Sequence, residues 1–147
     1  MGLYDRDFHA WANEQAALAR SRAHNEIDWD NVAEELESLG KSVRSELFSR
    51  YRVLLMHLLK WMYQPNLQSH SWRNTIRIQR RDIARHLRQN PSLQSSDAEL
   101  FAEAYEAAIL DAVGETGLVE GAFPTTPPFT REQTLDEMFW PEPSGGD

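Results

Sequence analysis

The stretch that most constrains this chain runs from Asp28 to Gln64, DWDNVAEELESLGKSVRSELFSRYRVLLMHLLKWMYQ. At about 100° per residue, Trp29, Val32, Leu36, Leu39, Val43, Leu47, Leu54, Leu58 and Trp61 fall on one narrow face. Large apolar side chains that stay in phase for about ten turns predict a long central helix, or two helices sharing one phase across Gly40. The continuous phase favours no full break. Val53 to Leu59 is apolar nearly all round, so that part is expected to be buried on several sides.

The rest of the chain offers helical signals and no strand signals. Tyr4, Phe8, Trp11, Gln15 and Leu18 step by three or four residues, which predicts a helix over about 5–21 with Asp5 or Asp7 as its cap. Asp28 is a good N-cap for the long helix, and Pro65 stops it. Trp72, Ile76, Gln79, Ile83 and Leu87 predict a helix over 71–89, ended by Asn90-Pro91. Ser96 and Glu99 form a capping-box pattern ahead of a helix over 97–115, with Gly117 as its left-handed C-terminal residue. The segment LVEGAFPTTPPF is expected to lie over the body through Leu118, Phe123 and Phe129. Thr130 and Gln133 then cap a short helix over 131–138. No run alternates with period two between turn residues. The expected fold is therefore all-α, a single-domain bundle of about five helices around one long central helix, without a sheet. It should span residues 1–140, followed by a mobile tail over 141–147.

Composition narrows the chemistry. A 147-residue chain can bury roughly 70% of its unfolded surface and needs no metal or disulfide to fold. Cysteine is absent, which removes disulfides, Cys-based zinc sites and thiol catalysis, and fits a reducing cytoplasm. RVLLMHLLKWMY is the most apolar run. It is far shorter than the roughly 18 residues of a membrane span and carries charge, so no membrane role is expected. The N-terminus lacks the apolar core of a signal peptide, and Asp5 and Arg6 stand where a myristoylation signal needs Ser or Thr. No cofactor is expected. Neither is a metal: Glu34, Glu35 and Glu37 have no His three or four residues on, and His57, His70 and His86 are isolated in sequence.

Charge is the most informative remaining signal. The net value of −8 argues against wholesale nucleic-acid binding, but its distribution is uneven. Residues 26–37 hold six acids and no base, and residues 97–115 hold six more with no base. Between them, Arg73, Arg77, Arg81, Arg85 and Arg88 lie opposite the apolar face of the 71–89 helix. Arginine suits carboxylate and phosphate contacts, and these five are the candidate binding residues. A second candidate is a polar groove along the long helix, from Glu46, Arg50, His57 and Lys60, where a histidine near a carboxylate could do acid–base work. No catalytic motif accompanies it, no catalytic residue is assigned, and the chain leans away from an enzyme.

The motifs LYDRDFHAWANEQAALAR, IDWDNVAEELESLGKSVRSEL, RVLLMHLLKWMYQP, SWRNTIRIQRRDIARHL, NPSL, the AYEAA…ETGL run and PFTREQTLDEMF together cover nearly the whole chain. In them the chain resembles a bacterial domain-of-unknown-function family, number 29. The resemblance implies a small helical protein in a bacterial cytoplasm, and it assigns no reaction and no site residues. Three functions follow as expectations. The first is a non-enzymatic helical interaction module, binding a protein partner or itself as a homo-oligomer through the arginine face and the acidic helices beside it. The second is nucleic-acid contact by the arginine face of residues 71–89. The third is a small-ligand or enzyme site at Glu46, Arg50, His57 and Lys60.

Overall fold

The computed structural model describes residues 1–145. Among the described residues six α-helices follow one another: α1 (Leu3–Arg6), α2 (Phe8–Arg20), α3 (Trp29–Tyr63), α4 (His70–Gln89), α5 (Gln94–Thr116) and α6 (Arg131–Leu135). Among the described residues there is no strand. The all-α expectation holds, with six helices in place of about five. The chain divides into two compact units, residues 1–43 and residues 44 onward. α3 runs through both.

The first unit begins with a break that periodicity did not show. The expected 5–21 helix is two helices, because Asp7 leaves helical geometry at φ −153°. Its carboxylate accepts from the Ala10 backbone N–H at 3.0 Å and so caps α2. Tyr4, Phe8 and Trp11 still meet, with ring centroids 4.8 to 5.9 Å apart. Trp11 is buried, and its indole N–H donates to Asp28 at 3.0 Å. The same carboxylate accepts from the Asn31 side chain at 2.7 Å. These two donors, Asn31 foremost, hold the Asp28 carboxyl below the usual aspartate range. The Tyr4 hydroxyl donates to Glu35, which pushes the phenol up to about 12.

α3 is unbroken across Gly40. A Cβ at Gly40 would meet nothing within 4 Å, so this glycine does not mark a close helix crossing. The nine-residue apolar stripe, however, is not one continuous core. Leu47, Leu54, Leu58 and Trp61 are buried, whereas Trp29, Leu36 and Leu39 are 56%, 62% and 61% exposed. Length accounts for the difference. A helix of 35 residues is about 52 Å long, while α4 with 20 residues and α5 with 23 reach about 30 and 35 Å. A core shared by all three has room for only part of α3.

That core fills the second unit. Leu47, Tyr51, Leu54, Leu55, Leu58 and Leu59 of α3 are fully enclosed with Ile76 and Ile83 of α4 and Leu100, Ala104, Tyr105 and Ala108 of α5. Within Val53 to Leu59, expected to be buried on several sides, Leu54, Leu55, Met56, Leu58 and Leu59 are buried, while Val53 and His57 are half-buried. α5 starts at Gln94 after a turn over Pro91–Leu93. Leu93 precedes it without a side-chain cap, so the expected Ser96 capping box does not form. Gly117 ends α5 in the left-handed region at φ 73°, a position that favours glycine. Beyond it, Phe123 and Phe129 are buried, and the Tyr105 hydroxyl donates to the Pro124 carbonyl at 2.6 Å. Thr130 and Gln133 form the expected capping box of α6, which ends at Leu135, three residues sooner than expected.

A buried arginine holds this C-terminal strap. Arg80 is 1% exposed, on the inner face of α4 between Ile76 and Ile83. Its Nε donates to the Thr134 carbonyl at 2.8 Å and its Nη2 to the Phe139 carbonyl at 2.7 Å. Its guanidinium lies 5.2 Å from the Trp140 ring centre. Trp140 packs against Trp61, with ring centres 4.7 Å apart and the planes tilted by 42°. The strap continues through buried Pro141 to Ser144, whose N–H donates to the Met62 carbonyl at 2.8 Å. Residues 146–147, the end of the tail expected to be mobile, lie outside the described residues.

Replacing Arg80 by Met keeps most of the volume and removes both donors. Urea unfolding should show a loss of about 2–3 kcal/mol from the two stranded carbonyls, with faster proteolysis between residues 117 and 145. A loss under about 0.5 kcal/mol with an unchanged cleavage pattern would contradict this role.

Candidate functional site

The acids of α5 meet the bases of α3. Arg44 lies 3.7 Å from Glu99. Arg52 grips Asp111 with two bonds, of 2.6 and 2.7 Å. Lys60, largely buried, lies 2.5 Å from Glu115 and 4.6 Å from the Trp72 ring centre. The three bases recur every eight residues on α3, about 12 Å apart, and form a ladder along α5. The Arg52–Asp111 pair is the strongest rung, since a two-pronged guanidinium–carboxylate contact fixes both partners. It pushes the Arg52 guanidinium up, through the hydrogen bonds first and the charge of Asp111 second.

A further acid of α5 is committed elsewhere. Asp97 is buried, accepts from the Tyr51 hydroxyl at 2.6 Å and pairs with Arg131 of α6. Burial, and then Asp97, drive the Tyr51 phenol well above its ordinary value. This triad fastens α6 to α5 and α3. Nothing in the sequence spacing of Tyr51, Asp97 and Arg131 signals it.

The groove expected at Glu46, Arg50, His57 and Lys60 separates into two places. Glu46 and Arg50 face α4. Arg50 lies 3.2 Å from both Glu46 and Asp82 and donates to Gln79 at 3.3 Å. Glu46 also lies 2.7 Å from the Nδ1 of His86, a side chain almost fully enclosed. Lys60 faces α5, as described. His57 is half-buried, and its Nδ1 donates to the Val53 carbonyl at 2.8 Å, one turn back. The candidate residues therefore do not converge on one cavity. The structure instead joins His86 and Asp82 to Glu46 and Arg50, which sequence reading left isolated. His86 follows Arg80 and Ile83 on the inner face of α4, and that spacing was the available signal.

Burial lowers the His57 imidazole below its ordinary value, the nearby Lys60 charge lowers it further, and the Val53 carbonyl and Glu115 act the other way. The folded state thus favours neutral His57. Its contribution to stability is fully present above about pH 6.5 and is lost as pH falls through the lower, folded value. An NMR titration of His57 should show a midpoint below 6.5. A midpoint at or above that value would contradict the burial account.

The outer face of α4 is different. Arg73, Arg77, Arg81, Arg85 and Arg88 are all exposed. Arg85 pairs with Asp82 on its own helix at 3.1 Å. Arg73 lies over the rings of Trp61 and Trp140, at 5.5 and 5.0 Å. Arg77, Arg81 and Arg88 make no hydrogen bond or ion pair among the described residues. Three open hollows adjoin this face. One of about 430 Å³ is lined by His70, Ser71, Arg73, Asn74 and Arg77. One of about 380 Å³ lies between Asn74, Arg77, Ile78 and Arg81 and the strap residues Glu137 and Met138. The third, of about 220 Å³, adjoins Trp61, Gln68 and Arg73. Among the described residues no group of three His, Asp or Glu side chains could hold a metal ion, and no helix is long and apolar enough to cross a membrane.

A family model described as "Domain of unknown function DUF29" matches residues 3–140, so the chain belongs to that family. No curated protein and no solved structure matches it.

Proposed function

We propose that this member of the DUF29 family is a non-enzymatic interaction module whose working surface is the outer face of α4, and that its partner presents an acidic protein surface. One observation carries this reading. The acids of α5 that pair within the fold meet Arg44, Arg52 and Lys60 of α3 or Arg131 of α6, and Arg77, Arg81 and Arg88 are left exposed with no acid bound to them among the described residues. The basic helix is therefore not there to neutralise its acidic neighbour in the fold.

The chemistry of the face supports a protein partner. Guanidinium groups present paired donors that match carboxylates. Ile78 and Met138, 46% and 86% exposed, place apolar surface beside Arg77 and Arg81. Mixed apolar and arginine surface is typical of protein interfaces.

The test uses full-length chain carrying R77E, R81E and R88E. These positions are exposed, so stability should stay within about 0.5 kcal/mol of wild type. Light scattering and tagged capture should show that wild type holds a protein partner, itself or another, and that the variant does not. Equal association by both chains would overturn the proposal. Absorbance of the purified chain checks the alternative: bound nucleic acid shed steeply with added salt would assign the face to nucleic acid.

A further inference from the structure

The three hollows beside α4 form one trough. Two of them share His70 and Arg73, and two share Asn74 and Arg77. The trough therefore follows α4 from His70 to Arg81, a length of about 17 Å. Arg73, Arg77 and Arg81 line it at intervals of four residues. At about 100° per residue each is turned only about 40° from the last, so the three form one oblique row. No acid occurs in the chain from Leu47 to Arg81. Arg73 already lies over Trp61 and Trp140, which holds its guanidinium in place before anything binds.

Spacing and wall chemistry together say what fits. Successive arginines in the row stand about 6 Å apart along the helix axis. Alternate side chains of an extended peptide point the same way and recur about every 6.6 Å. Carboxylates at every second position can therefore meet Arg73, Arg77 and Arg81 in turn, and about five extended residues fill the length of the trough. The other polar groups suit main chain. Asn74 offers both a donor and an acceptor between Arg73 and Arg77. Glu137 of the strap is exposed, lines the same hollow as Arg77 and Arg81, and pairs with neither among the described residues. Its carboxylate can accept from the N–H of an extended chain. A partner helix spends those N–H groups internally, and a DNA strand has only acceptors along its backbone, whose phosphates this carboxylate would repel.

We infer that the trough takes an extended acidic segment of a partner protein, with carboxylates at alternate positions on Arg73, Arg77 and Arg81 and a main-chain N–H on Glu137. The inference rests on the reading of α4 as the working surface and names the form of its occupant. Each contact is exposed, so affinity comes from three pairs acting together rather than from any one of them. It is sensitive to salt, which screens exposed charge within about 10 Å at moderate ionic strength.

Two end-capped peptides of one composition test it, Glu-Thr-Glu-Thr-Glu and Thr-Glu-Glu-Glu-Thr, titrated at low salt into the full-length chain and followed by amide NMR shifts. Extended, the first puts three carboxylates on one side and the second puts two. The alternating peptide should bind about fivefold tighter, with shifts along residues 70–81. On the R77E variant, whose substituted position is exposed, that advantage should disappear. Equal binding of the two peptides by wild type overturns the inference. So does tighter binding of a single-stranded thymidine oligonucleotide, which would assign the trough to nucleic acid. The broader reading is judged separately: if neither peptide binds, yet wild type captures a protein that R77E/R81E/R88E releases, the working surface stands and only the form of its occupant is wrong.

Discussion

Burial of Leu47, Tyr51, Leu54, Leu55, Leu58 and Leu59 is the contact set on which the second unit depends, and it dictates where charge can go. With one side of α3 closed by α4 and another by α5, the long side chains between these buried positions emerge at the edges. Arg44, Arg52 and Lys60 emerge toward α5 and meet its acids, while Glu46 and Arg50 emerge toward α4 and meet His86 and Asp82. Both seams are thereby balanced inside the fold. The outer face of α4 lies apart from both seams, and Arg77, Arg81 and Arg88 on it are exposed with no acid bound to them among the described residues.

Arg80 shows how differently two arginines on one helix can behave. It sits one residue from Arg81, yet it is enclosed and bonds two strap carbonyls, while Arg81 stands in solvent. Enclosure lowers its affinity for the proton, as expected for a cation drawn out of water, though it stays charged. Its Nη1 is buried without an acceptor among the described residues. Fixing the strap thus carries a desolvation cost, offset by two charge-assisted hydrogen bonds and the Trp140 ring.

Much of this architecture was legible in the sequence. The long helix, its uninterrupted passage through Gly40, the helices either side of Pro91, the left-handed Gly117 and the Thr130 capping box all follow from local rules, because caps, prolines and glycines act within a few residues. What was not legible depends on distance in the chain. Periodicity put Trp29, Leu36 and Leu39 in the same stripe as Leu54 and Leu58, but it carries no information on how far the neighbouring helices reach. It named Gln79 as an inward residue of α4, where Arg80 is the one enclosed; a charged residue four after Ile76 and three before Ile83 was the overlooked signal. The sequence shows acidic, basic and acidic blocks but not which groups meet: Glu99, Asp111 and Glu115 of α5 pair with Arg44, Arg52 and Lys60 of α3. The exposed arginine face was readable from the start, since a row opposite an apolar face has few other places to be.

Hydrogen exchange of the wild-type chain alone and with an acidic polypeptide such as poly-glutamate, in low salt, tests the central claim most directly. An interaction face on the outer side of α4 predicts slower exchange in residues 73–88 when the acidic polypeptide is present, reversed by salt, with the buried half of α3 unchanged. Exchange in 73–88 that the acidic polypeptide leaves unchanged would contradict it.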